Sequence, residues 1–229
     1  MLRFAHFLYL VPLTIGALVS LRVFVKGWAK PFRWFSIFLL TTMVVEWIAV
    51  CWKLFLHQTP YWDLPKSNLW IYNIYIIPEY FFYIVFYFKT LEGDRIKKNV
   101  LPLGLLYLIF GTANLIFIQD MAQLDTYTII FGGVIVVILS AMYFMQELKR
   151  KIPIVVQKQP LFWISLGAFL FHSVSLPYFI FINYLSRTNL PLAIALFNIL
   201  LVLNILMYSF YLIAFLCHNP IRKKLSSRF

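Results

Sequence analysis

The chain has 229 residues, of which 62% are hydrophobic and 12% charged, with a formal net charge of +12. A soluble domain carries about a quarter charged residues, and a disordered chain is poor in the aromatics that here make up 20%. Both classes are excluded, which leaves a helical membrane protein with several spans.

Seven apolar stretches approach the ~20 residues needed to cross ~30 Å of hydrocarbon as a helix. They lie at about 4–25, 34–56, 69–88, 101–118, 127–145, 161–185 and 190–216. None shows the ten-residue alternation of a barrel strand. The expected fold is therefore all-α, a polytopic seven-transmembrane helix bundle that occupies residues 1–229 as one domain. The longest loops run about a dozen residues, too short for a separate core.

Span 1 opens after Arg3 in the manner of a signal peptide. Cleavage would send Arg22, Lys26, Lys30 and Arg33 outward against the positive-inside bias, so the span is expected to stay in the mature protein. Span 2 places Thr42, Glu46, Ala49 and Lys53 on one face, with Glu46 near its middle and Lys53 close enough to the surface to snorkel. The loop that follows, Tyr61-Trp62-Asp63-Leu64-Pro65, joins Trp52 and Trp70 in an interfacial aromatic belt or a lid. Span 3 carries Tyr72, Tyr75, Glu79, Tyr83 and Tyr87 at spacings of 3, 4, 4 and 4, one helical stripe, and Pro78 is expected to bend it. Span 6 bears Ser165, Ala168, His172 and Ser175 ahead of Pro177. Span 7 contains Asn198 and Asn204, the latter aligned with Tyr208 and Tyr211.

Orientation follows from four basic groups of four. They are Arg22 to Arg33, then Lys89, Arg95, Lys97 and Lys98, then Lys149, Arg150, Lys151 and Lys158, and finally Arg222, Lys223, Lys224 and Arg228. Those groups hold 16 of the 20 Lys and Arg residues and fall on one side of the membrane. The expectation is an N-terminus outside, a C-terminus in the cytoplasm, and location in the cell inner membrane. The cytoplasmic side then carries +13, the outer side 0 and the bilayer −1. The positive excess is a topology signal that suits anionic lipid headgroups, and no nucleic-acid partner is implied.

Charged side chains at the bilayer centre cost roughly 2.5–3.5 kcal/mol each, so Glu46, Glu79 and His172 mark a functional centre by default. Tyr75, Tyr83, Asn198 and Asn204 complete the expected ligand-binding set. Tyrosines, asparagines and serines also join membrane helices by hydrogen bonds of about 0.6–2 kcal/mol, and that structural role stays open for them. Several chemistries are excluded. Span 7 lacks the lysine of a retinal Schiff base. A zinc hydrolase needs several mid-membrane ligands, whereas only His172 lies at that depth; His6 and His57 are outer and His218 is at the inner end. No metal, cofactor or catalytic residue is expected. Cys51 and Cys217 lie near opposite faces, cannot bridge, and read as small buried apolar residues. Span 3 ends in Tyr87-Phe88-Lys89 instead of the acidic-Arg-aromatic triplet of animal G-protein-coupled receptors, and span 7 has no Asn-Pro-x-x-Tyr.

The segments Asn73-Ile74-Tyr75-Ile76-Ile77-Pro78-Glu79-Tyr80 and Phe162-Trp163-Ile164-Ser165-Leu166-Gly167, with the stretch from Asn198 to Cys217, resemble small seven-span membrane proteins of Bacteroidota. That resemblance implies a fold and carries no established chemistry. The expected function is a receptor or sensor that binds a small molecule or lipid in a polar, tyrosine-lined, mid-membrane pocket and signals through a separate cytoplasmic protein. Two alternatives belong to other classes. One is a proton-coupled carrier or an intramembrane enzyme on a lipid or isoprenoid, for which Pro78-Glu79 resembles half of the paired Pro-x-Glu-Glu element of small lycopene cyclases. The other is a non-catalytic scaffold subunit. The balance favours a protein that is not an enzyme.

Overall fold

A computed structural model of the chain describes residues 6–55, 67–121, 123–150 and 155–217. Every regular element among the described residues is a helix. In chain order these are α1 (Leu10–Ser20), α2 (Arg22–Val25), α3 (Lys30–Leu54), α4 (Leu69–Thr90), α5 (Asp94–Ala113), α6 (Thr126–Leu148), α7 (Pro160–Thr188) and α8 (Leu190–Leu216). A π-helical turn, Asn114–Ile118, prolongs α5, and a 3-10 turn, Val156–Lys158, precedes α7.

Six of these helices, α3 to α8, are long and apolar enough to cross a membrane, α5 by running on through its π turn. The chain is a multi-pass membrane protein, and its outer surface agrees. Leu105, Ile109, Ile138, Ile199 and Val202 are all more than half exposed, as expected of side chains that face lipid tails.

The stretch expected as the first span differs. Its apolar helix, Leu10–Val25, is shorter than a span, because His6 to Tyr9 form a turn and Leu21 interrupts the helix. Leu21 has φ −57° and ψ −22°, the dihedrals of a 3-10 turn, so hydropathy overstates the helical length here. The corner into α3 is set by Gly27, whose φ of 62° lies in the left-handed region open to glycine. The Trp28 N–H returns to the Val23 carbonyl at 3.0 Å, the six-to-one bond of a Schellman motif. Pro31 then occupies the first turn of α3, where its missing N–H costs nothing.

The helices close into a ring. Its order is α1, α3, α4, α6, α7, α8 and back to α1, while α5 packs outside against α4 and α6. Short α1 is thus a stave of the bundle. The half of the ring that holds the start of α3 and the ends of α4 and α8 is filled with aromatic rings. Phe35 is fully buried and meets Phe38, Phe82, Tyr83, Phe86, Tyr211 and Phe215 at centroid distances of 5.0–6.4 Å. Such spacing suits edge-to-face and tilted ring packing.

Helix α4 is the hub of the polar contacts. Tyr75 and Thr42 of α3 share a hydrogen bond of 2.6 Å, Tyr83 and Tyr211 of α8 one of 2.7 Å, and Tyr87 donates to Ser165 of α7 at 3.2 Å. Pro78 does not end α4, which runs unbroken through it. Tyr107 of α5 donates to the Ile76 carbonyl just before that proline at 3.1 Å.

A second polar knot sits at the start of α6. Asn73 accepts from the Asp125 N–H at 3.0 Å and donates to the Gln123 carbonyl at 2.7 Å. Asp125 caps α6 by accepting from the Thr128 N–H at 3.4 Å, and Asn114 donates to Asp125 and, at 3.1 Å, to Thr128. Asp125 is buried despite its charge. Burial pushes its carboxyl above the usual range, an effect that the Thr128 and Asn114 hydrogen bonds partly offset.

Candidate functional site

The half of the ring away from the aromatic floor encloses a cavity of about 1040 Å³. All six ring helices or their entering turns contribute to its wall: His6, Phe7 and Tyr9 ahead of α1; Glu46, Val50 and Lys53 from α3; Tyr72, Glu79 and Tyr80 from α4. Leu124 and Ile129 flank the start of α6, Phe171, His172 and Phe179 come from α7, and Phe197, Asn204 and Tyr208 from α8. The wall extends up to Lys53, Leu54 and Asn68, at the end of α3 and the start of α4, and that end is the rim.

Glu46 enters the cavity tied to two other elements. Its Oε2 accepts from the Tyr9 hydroxyl at 2.8 Å and from the Tyr72 hydroxyl at 2.9 Å. Its second carboxylate oxygen keeps capacity for a ligand. Glu79 lies deeper on α4, and its carboxyl accepts no hydrogen bond from any described residue. His172 is 3% exposed. Its Nδ1 and the Tyr80 hydroxyl lie 3.4 Å apart, while its Nε2 has no partner among the described residues. Orphaned polar atoms of this kind are uncommon in folded interiors.

Of the expected ligand-binding residues, Glu46, Glu79, His172 and Asn204 line this one cavity. Asn204 also returns a hydrogen bond to the Leu200 carbonyl at 3.2 Å. Tyr75 and Tyr83 are instead committed to Thr42 and Tyr211, and neither is in the wall. Asn198 is on an exposed face of α8. Ser165, Ala168, His172 and Ser175 are all buried, as a stripe turned into the bundle would be. Lys53 is exposed at the rim. Trp52 and Trp70 meet edge to face at 5.3 Å, while the 61–65 loop, His57 and His218 lie outside the described residues. Both cysteines are free, but Cys51 is exposed instead of buried, because its side of α3 faces out of the bundle.

The wall also holds residues that were not singled out from sequence as ligand-binding, among them Tyr9, Tyr80 and Tyr208. Tyr208 stacks on Tyr9 at 6.4 Å, and the two rings close the cavity between α8 and the turn before α1. A signal for Tyr80 exists in the spacing. Asn73, Ile76, Tyr80, Tyr83 and Tyr87, at intervals of 3, 4, 3 and 4, are the buried residues of α4 that follow one face. Among the described residues, no three His, Cys, Asp or Glu side chains converge as a metal-ligand set. No protein-family model, curated protein or solved structure matches the chain.

Proposed function

We propose that the protein is a receptor or sensor of the cell inner membrane that binds a small molecule or lipid inside its helix ring. In this reading α1 and α2 complete a seven-span bundle with the N-terminus outside. Their 16 residues, Leu10–Val25, cover only ~24 Å, a shortfall that local thinning of the bilayer accommodates at modest cost. The basic inner loops would contact a separate cytoplasmic signalling protein.

The observation that carries the proposal is one cavity holding two carboxyls and an imidazole whose second nitrogen has no partner among the described residues, above a floor of packed aromatic rings. A blind pocket suits binding and release from one side. Its volume of about 1040 Å³ lies just above the ~300–1,000 Å³ usual for ligand sites, which favours a lipid-sized occupant.

Native mass spectrometry of the full chain, released gently from its own membrane, tests this. The expected result is a non-covalent adduct lost in Leu201→Trp, which fills the cavity, and weakened in Glu46→Gln or Glu79→Gln. An adduct that survives all three substitutions would place binding elsewhere and overturn the site.

A further inference from the structure

We propose that the ligand of this cavity is an amphiphilic amine, whose ammonium group pairs with Glu79 and whose hydrocarbon tail runs up the apolar wall to the rim. The assignment rests on the receptor reading of the same cavity and names the ligand class.

The two carboxyls of the site are not equivalent. Glu46 has its Oε2 occupied by the Tyr9 and Tyr72 hydroxyls. Glu79 accepts nothing from the described residues, although it sits at the closed end of the cavity. A carboxylate without donors in such surroundings is strongly disfavoured unless it takes up a proton or a cation comes to it. No Lys, Arg or His among the described residues forms an ion pair with Glu79. Among the described residues of the wall, Lys53 is the only lysine or arginine, and it is exposed at the rim, seven residues or ~10 Å along α3 beyond Glu46. Tyr80, Tyr208 and Phe171 line the same cavity and add aromatic faces that attract an ammonium group.

The rest of the wall suits a chain. Ile129, Phe179, Phe197, Leu200 and Leu201 line the cavity between the deep polar group and the rim. From Asn68 to Glu79 is 11 residues of helix, ~16 Å of depth, which a single extended alkyl chain spans. His172 Nε2, buried and without a partner among the described residues, is left for a second polar group on the head, such as a hydroxyl.

The test is thermal unfolding of the full chain in nanodiscs of zwitterionic lipid, titrated with three probes of one chain length: dodecylamine, 1-dodecanol and dodecanoate. Dodecylamine is expected to stabilise the protein saturably and the other two far less. Glu79→Gln should raise the half-saturating dodecylamine concentration by about thirtyfold, as for loss of one partner of a buried charge pair, and Lys53→Gln should leave it nearly unchanged. Should Glu79→Gln fail to fold, Glu79→Asp must retain the preference for amine over alcohol. If 1-dodecanol matches the amine and Leu201→Trp abolishes both, the amine assignment falls and the cavity stands. If no probe gives saturable stabilisation, or if Leu201→Trp leaves the stabilisation intact, the assignment and the cavity reading fall together.

Discussion

Glu46 shows how a carboxyl is accommodated within a bundle of this kind. Two phenol hydroxyls, from the turn before α1 and from α4, converge on one carboxylate oxygen of α3. Each bond ties two elements together, and each compensates the other's loss. Tyr9→Phe and Tyr72→Phe should therefore each lower stability by about 1 kcal/mol. The double variant should exceed the sum of the two by ~0.5 kcal/mol or more, because it alone leaves that oxygen bare. A double-mutant cycle from unfolding in detergent measures this, and simple additivity would sink the shared-oxygen account. Glu46 and Tyr72 were legible in the sequence because a carboxyl in an apolar window stands out and the helical repeat places its neighbours. Tyr9 was not legible, since periodicity within one span says nothing about which residue of another span it meets. Asn198 makes the same point in reverse. It lies six residues from Asn204, about 240° farther round the helix, so both cannot turn into the same cavity.

Among the helices, α4 was the most readable and was still read a fraction of a turn out of phase. The stripe through Tyr72, Tyr75, Glu79 and Tyr83 stays near the wall, but the face that packs runs through Asn73, Ile76, Tyr80 and Tyr83. Polarity drew attention to the first stripe, and close helix packing decides the second. That packing has a test at Gly132 of α6. A Cβ there would lie 2.5 Å from Tyr80 Cγ and 2.9 Å from Tyr80 Cβ, atoms next to the backbone that cannot swing away. At the neighbouring Gly133 the first contact is a Leu176 methyl at 3.2 Å, which can yield. Gly132→Ala should thus cost ~1–3 kcal/mol and push Tyr80 away from His172, while Gly133→Ala should cost clearly less. Unfolding of the two variants in detergent gives the comparison. Equal costs would mean that α6 does not press on Tyr80 as the structure has it. Nothing in the sequence distinguishes the two glycines, since the difference lies wholly in what α4 presents to each.

At the scale of the whole molecule, the sequence conveyed the helices but not their closure. Hydropathy located α3 to α8 within a few residues, since apolar length alone determines which segments a bilayer accepts. It could not show that α5 stands outside the ring or that short α1 closes it. Those facts bear on the proposed function, because a closed ring can be hollow at one end and plugged at the other. The two carboxyls in the hollow also suit a proton-coupled carrier, and the plug separates the readings. A carrier needs its site to reach the far side, and here Phe35, Tyr83 and Tyr211 fill the ring beneath Glu79, with Phe35 and Tyr211 fully buried and Tyr83 1% exposed. Moving a helix to open that floor would break the Tyr83–Tyr211 hydrogen bond and several ring contacts together. Proteoliposomes loaded with a pH-sensitive dye should accordingly hold an imposed pH gradient as long as empty liposomes do. A protein-dependent collapse of the gradient that Glu79→Gln abolishes would replace the receptor with a carrier, because it would require a proton at Glu79 to reach both faces of the membrane.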